Sequence, residues 1–85
     1  MFYIYAISSL ERNYIYVGMT QDLDSRIERH NLGRERTTKA YRPFKLIYFE
    51  KLDVERVDAR KREKYWKSGV GREKLRQIRD NNLPK

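Results

Sequence analysis

Residues 2 to 7 alternate, with Phe2, Ile4 and Ala6 on one side and Tyr3, Tyr5 and Ile7 on the other. Residues 14 to 19 repeat the pattern, setting Ile15, Val17 and Met19 against Tyr14, Tyr16 and Gly18. A period of two sends successive side chains to opposite faces, so both stretches are predicted as strands. The polar run at 8–13 suits a hairpin loop between them. Pairing Tyr5 with Tyr16 sets Tyr3 opposite Gly18 and Ile7 opposite Tyr14, which puts Tyr5 and Tyr16 on one face within touching distance. A slip of one residue would separate them.

The period then lengthens. Asp22 is a good helix cap, Leu23, Ile27 and His30 follow at helical spacing to about Asn31, and Gly33 stops the helix. Arg26 and His30 stand four apart and share a face. Residues 34 to 43 are polar and basic and end at Pro43, which reads as a loop. Strand character resumes over 44–50, with Leu46 and Tyr48 on one side and Ile47 and Phe49 on the other. Apolar groups on both faces predict a central strand. A second helix is predicted from Asp53, as its cap, to Ser68, with Gly69 and Gly71 as breakers. Its projection aligns Leu52, Ala59, Glu63 and Trp66, an acid among apolar neighbours. A short basic helix from Arg72 to Asn81 follows.

Eighty-five residues fit one domain, 1–85, with a single modest core. The absence of cysteine removes disulfides and thiolate zinc sites and points to a reducing compartment. Neither a signal peptide nor a long apolar run is present, so the expectation is a soluble cytoplasmic protein that does not enter a membrane. The net charge of +8 is uneven. Residues 56–85 carry eleven Lys and Arg against only Asp58, Glu63, Glu73 and Asp80. Such a surface attracts a polyanion, most commonly nucleic acid, through Coulomb steering and counterion release. The plainer alternative is a solvated basic face that serves solubility.

Phosphodiester hydrolysis needs a base near the attacking water and positive charge where the non-bridging oxygens gather negative charge. It also needs stabilisation of the leaving oxygen. Magnesium takes few carboxylates and fills its other positions with water and phosphate, so Glu63 alone can anchor it. The competing reading of Glu63 is an ion pair with a neighbouring base. From their strand positions alone, Tyr5 and Tyr16 read first as packing residues with hydroxyls at the rim. A phenol with a pKa near ~10 is also a poor base at neutral pH without a cation to help remove its proton. Arg26 can be that cation or can grip phosphate with its guanidinium fork, and otherwise is a surface arginine paired with Asp22 or Asp24. His30 can relay a proton or bind phosphate, or be an ordinary helix histidine.

Tyr3-Ile4-Tyr5, ten residues, Tyr16-Val17-Gly18, then Thr20, Leu23, Arg26 and His30, and finally Ala59-Arg60-Lys61-Arg62-Glu63-Lys64 resemble the GIY-YIG nuclease superfamily. The likeness covers nearly the whole chain and is nearest to small single-domain members related to the catalytic domain of the bacterial excision-repair nuclease subunit. It implies an α+β fold, a three-stranded antiparallel sheet flanked by helices, and cleavage of DNA with one divalent ion, Mg2+ or Mn2+.

Carried over by resemblance, Tyr16 matches the tyrosine that activates water, and Tyr5 matches its partner. Arg26 matches the arginine that steadies phosphate, Glu63 the metal ligand, and His30 a supporting position. Gly18 permits close backbone approach. Met19 stands where several relatives carry lysine, with Lys39 as a candidate replacement, and the asparagine some relatives use after the metal-binding helix has no counterpart.

The leading expectation is a Mg2+- or Mn2+-dependent endonuclease acting on DNA, RNA not excluded, in repair or processing. Arg34, Arg36, Lys39, Lys64, Lys67, Arg72 and Arg76 are the expected contacts to backbone phosphates. The alternative is a noncatalytic nucleic-acid-binding module on the same scaffold. A third possibility is a ribosome- or protein-associated adaptor.

Overall fold

The computed structural model describes residues 1–81. Strands β1 (Phe2–Ser9) and β2 (Ile15–Thr20) form the hairpin and lead into helix α1 (Leu23–Asn31). A single 3₁₀ turn (Lys39–Tyr41) precedes strand β3 (Phe44–Leu52), and helices α2 (Arg56–Lys67) and α3 (Gly69–Asn81) close the described chain. The three strands make one antiparallel sheet in the order β2-β1-β3, giving the α+β architecture expected from the resemblance.

The hairpin register differs from the predicted one by two residues: Tyr5 faces Gly18, Ile7 faces Tyr16 and Tyr3 faces Thr20. The turn explains the difference. Ser9 ends β1 by bonding its amide to the Tyr14 carbonyl at 2.9 Å, while its hydroxyl accepts from the amides of Glu11 (3.2 Å) and Arg12 (3.0 Å). These bonds hold the turn later than the polar run alone implied. An even shift preserves the faces, so Tyr5 and Tyr16 remain together, now as diagonal neighbours.

β1, not β3, is the central strand. Its residues are apolar or aromatic on both faces and are buried from Ile4 to Ser9, whereas β3 alternates exposed and covered positions along the sheet edge. A register irregularity opposite Ala6 and Ile7 also breaks the alternation expected in β3. Leu46 joins one face while Ile47 and Tyr48 both turn to the other.

One face of the sheet, with Ile4, Ala6, Ile15, Val17 and Ile47, is covered by α2 and α3 through Trp66 and Leu75. The other, with Tyr5, Ile7 and Phe44, is covered by Leu23 and Ile27 of α1 and by Tyr41.

The helix ends are local chemistry. The Asp22 side chain accepts from the Ser25 amide, as predicted, and Gly33 adopts φ +76° beyond the end of α1. The N-cap position of α2 is Glu55 rather than Asp53, with no capping bond from its side chain, and Leu52 belongs to β3, leaving Ala59, Glu63 and Trp66 as the buried stripe. α3 starts at Gly69, so neither glycine interrupts a helix. The Ser68 hydroxyl accepts from the Gly71 amide at 3.3 Å and starts α3 immediately. Gly71 is glycine because a Cβ there would press on the Tyr65 carbonyl and the Trp66 backbone of α2.

Candidate active site

Tyr5 lies on the central strand and is 1% exposed. Its hydroxyl is 2.8 Å from His30 Nε2, and His30 Nδ1 is 2.7 Å from the hydroxyl of Thr38, which points at the Glu35 carbonyl at 3.5 Å. If Thr38 donates to that carbonyl, its oxygen accepts from Nδ1–H, leaving Nε2 to accept from the Tyr5 hydroxyl. This assigns the neutral tautomer of His30 and makes Tyr5 the donor at the end of the chain. Burial holds the His30 pKa below its usual 6.5; Glu35 opposes that shift, and Arg26 and Arg29 add to it. Burial, followed by the neighbouring Tyr16, pushes the Tyr5 phenol well up, with Arg26 working against them.

Tyr16 packs into the same cluster from β2, its ring 6.3 Å from that of Tyr5 and 5.0 Å from His30, and it is half-buried rather than sealed. The close approach depends on Gly18. A Cβ there would fall 2.6 Å from the Tyr5 hydroxyl and 2.9 Å from the Tyr16 ring. The Tyr16 pKa is raised first by burial and then by the negative charge of Glu63, while Arg26 lowers it. The phenol therefore lies under the opposed influence of a carboxylate and a guanidinium.

One turn before His30 on α1, Arg26 is half-buried. It lines a cavity of about 130 Å³ with Phe2, Met19, Thr20, Gln21 and Arg56. Arg56 thus brings a second guanidinium beside Met19, where a lysine was expected. No local period links Arg26 to Arg56, which are far apart along the chain and meet only at this cavity. Lys39, the replacement considered from sequence, is exposed on the 3₁₀ turn.

Glu63 projects from the buried stripe of α2 with its side chain 8% exposed. Arg60 donates to Oε1 at 2.8 Å and Lys67 lies 3.3 Å from Oε2, both cations being about half exposed. The ion pair weighed from sequence is therefore present, and Lys67 faces Glu63 as well as solvent. No group of three or more His, Asp or Glu that could hold a metal ion occurs among the described residues. Glu63 is thus a lone hard oxygen donor, and a cation held there would need its other ligands from water and a bound phosphate.

Two further groups escaped sequence reasoning. Thr38 looked like an ordinary residue of a polar loop, yet it is fully buried against His30. Glu50 accepts from Tyr48 (2.8 Å), Trp66 Nε1 (2.7 Å) and Arg62 (2.6 Å), tying α2 to β3. Burial pushes the Glu50 carboxyl up, but those three donors together hold it below its usual range. The network anchors the helix that carries Glu63.

Of the expected phosphate contacts, Arg34, Arg36, Lys39 and Lys64 are exposed. Arg76 pairs with Glu73, and half-buried Arg72 donates to the Ile15 carbonyl at 3.1 Å.

Comparison with known proteins identifies the family. The family model of the GIY-YIG catalytic domain matches residues 1–76. A UPF0213 protein of Pediococcus pentosaceus is 37% identical over 83 residues, covering 96% of this chain and 85% of the relative. One from Clostridium perfringens is 33% identical, covering 98% and 88%, and one from Staphylococcus aureus is 36% identical, covering 78% and 80%. No solved structure matches significantly.

Proposed function

The chain belongs to the GIY-YIG catalytic domain family, a nuclease superfamily whose members act on nucleic acid and are generally dependent on a divalent metal, and from that membership we infer that it is an endonuclease hydrolysing DNA phosphodiesters with Mg2+ or Mn2+. Residues 1–85 act as one nuclease domain in this reading, in cytoplasmic repair or processing of DNA. The observation that carries it is Tyr16: a half-buried phenol packed beside the Tyr5–His30–Thr38 chain, its pKa raised by burial and the charge of Glu63 and lowered by Arg26.

The donor set fits a cation held by one carboxylate, because Glu63 is a hard oxygen donor and its partners Arg60 and Lys67 are long, half-exposed side chains that a cation can displace. When bound, the cation supplies positive charge to the phosphate and leaving oxygen. Arg26 holds a non-bridging oxygen and favours the phenolate form of Tyr16. Tyr16 first releases its own phenolic proton to solvent and then, as the phenolate, takes the proton of the attacking water. Neutralising the Glu63 charge removes one of the causes that raise the Tyr16 pKa, so occupation of the carboxylate and activation of the phenol are coupled. Tyr5 and His30, both 1% exposed, act as positioning residues that keep Tyr16 and α1 in place.

Nicking of supercoiled plasmid by the purified chain tests this. Activity is expected with Mg2+ or Mn2+, none in EDTA, and a loss of at least ~100-fold in Glu63→Ala with its fold intact. Equal nicking by Glu63→Ala would overturn the assignment. Both Glu63 oxygens being paired favours one alternative, a noncatalytic nucleic-acid-binding module, which predicts binding without turnover under every metal condition.

A further inference from the structure

A cleft of about 270 Å³ opens between α3 and the start of β2, lined by Asn13, Tyr14, Ile15, Arg72, Arg76 and Arg79. The arginines follow helical spacing along one stripe of α3, so three guanidinium groups converge on a wall that contains no carboxylate. Arg72 is fixed by the Ile15 carbonyl at 3.1 Å and Arg79 by Asn13 Oδ1 at 2.7 Å, both neutral acceptors. Glu73 and Asp80 pair with Arg76 and Arg79 but do not line the cleft. Three guanidinium groups share two carboxylates, both outside the cleft, so its wall keeps a positive surplus that suits an external anion.

Tyr14 forms part of the cleft wall. It stacks on Tyr41 with ring centroids 4.0 Å apart, and Arg12 lies over the Tyr41 ring. Tyr14 is two residues from Tyr16 on the edge strand β2 and packs into the same cluster. Two residues of strand span about 7 Å, a reach of one or two nucleotides along a backbone.

We propose that this cleft is a phosphate subsite for a nucleic-acid strand running along the β2 edge, one or two nucleotides from the phosphate that Tyr16 and Arg26 engage. The nature of the strand rests on the nuclease reading above; the anion site rests on the arginines. Phosphate bonds to the guanidinium forks, Arg79 and Arg72 being held in place and exposed Arg76 exchanging Glu73 for it.

The test is an anisotropy titration of labelled duplex DNA by the full chain in EDTA, where binding is read without cleavage. Arg76→Ala/Arg79→Ala is expected to bind ~10-fold more weakly at low salt, and its slope of log affinity against log salt to fall by about 2. Arg76→Ala alone removes an exposed side chain and carries about half of that slope change. Lys51→Ala, on the opposite sheet edge, keeps the parent slope.

An unchanged slope in both arginine variants, an equal loss in Lys51→Ala, or no binding by the parent would overturn the subsite. So would displacement of DNA by poly-glutamate at equal charge, which would reassign the cleft to an acidic protein. Nicking is measured separately: a slope change without metal-dependent nicking sinks the nuclease reading and leaves the cleft standing, and nicking with an unchanged slope does the reverse.

Discussion

Among single residues, the buried histidine gives the sharpest consequence. His30 has a depressed pKa when folded and an ordinary one near 6.5 when unfolded. On acidification the unfolded chain takes up the proton first, so stability is complete above that value and declines as pH falls through it, until the folded form also protonates. Thermal melts are expected to lose stability from about pH 6.5 downward at up to ~1.4 kcal/mol per pH unit, and His30→Gln to flatten that part of the curve. The carboxyls of Glu35 and Glu50, held below their usual value of 4.5, act at lower pH and leave this window to the histidine. An identical slope in His30→Gln would contradict the assignment. Strand and helix periods made legible the shared faces of Tyr5 with Tyr16 and of Arg26 with His30 and the stripe that holds Glu63, while their grouping into one site came from the family resemblance. Thr38 was not legible, since its importance comes from a loop folding back over α1, which no local period encodes.

Among the elements, the two glycines at the α2–α3 junction separate propensity from packing. A Cβ at Gly69 meets nothing within 4 Å, whereas one at Gly71 would press on the backbone of α2. Glycine is worth up to ~1 kcal/mol less than alanine in a helix, so Gly69→Ala is expected to be neutral or slightly stabilising. Gly71→Ala is expected to destabilise by ~1–3 kcal/mol, because helix backbones cannot part without loosening Trp66 and Leu75. Urea unfolding of both variants checks the contrast, and equal effects would refute the close-packing account. Taken as punctuation, the glycines suggested a break; Ser68 instead ends α2 and starts α3. β3 misled for a related reason: its two apolar sides reflect a bulge and an edge that rests on both layers, and only the full sheet order reveals that β1 is the covered strand.

The whole molecule, 37 × 28 × 19 Å, has room for one sheet, and the candidate residues Tyr5, Tyr16 and His30 cluster on one face of it. The surplus of positive charge near the C-terminus was plain from the sequence. The convergence of three arginines on the hairpin was not, because it depends on how α3 crosses the sheet. Residues 82–85, counted in that charge, lie outside the described residues. The central claim is that the molecule carries a hydrolytic centre in which Tyr16 handles the proton of water under the charges of Arg26 and Glu63. The most direct measurement is the single-turnover rate of plasmid nicking at saturating Mg2+ for the parent and Tyr16→Phe, alongside matched melting curves. The account predicts a rate lower by ~10²–10⁴ in a variant that melts like the parent; nicking at the parental rate by Tyr16→Phe would contradict it.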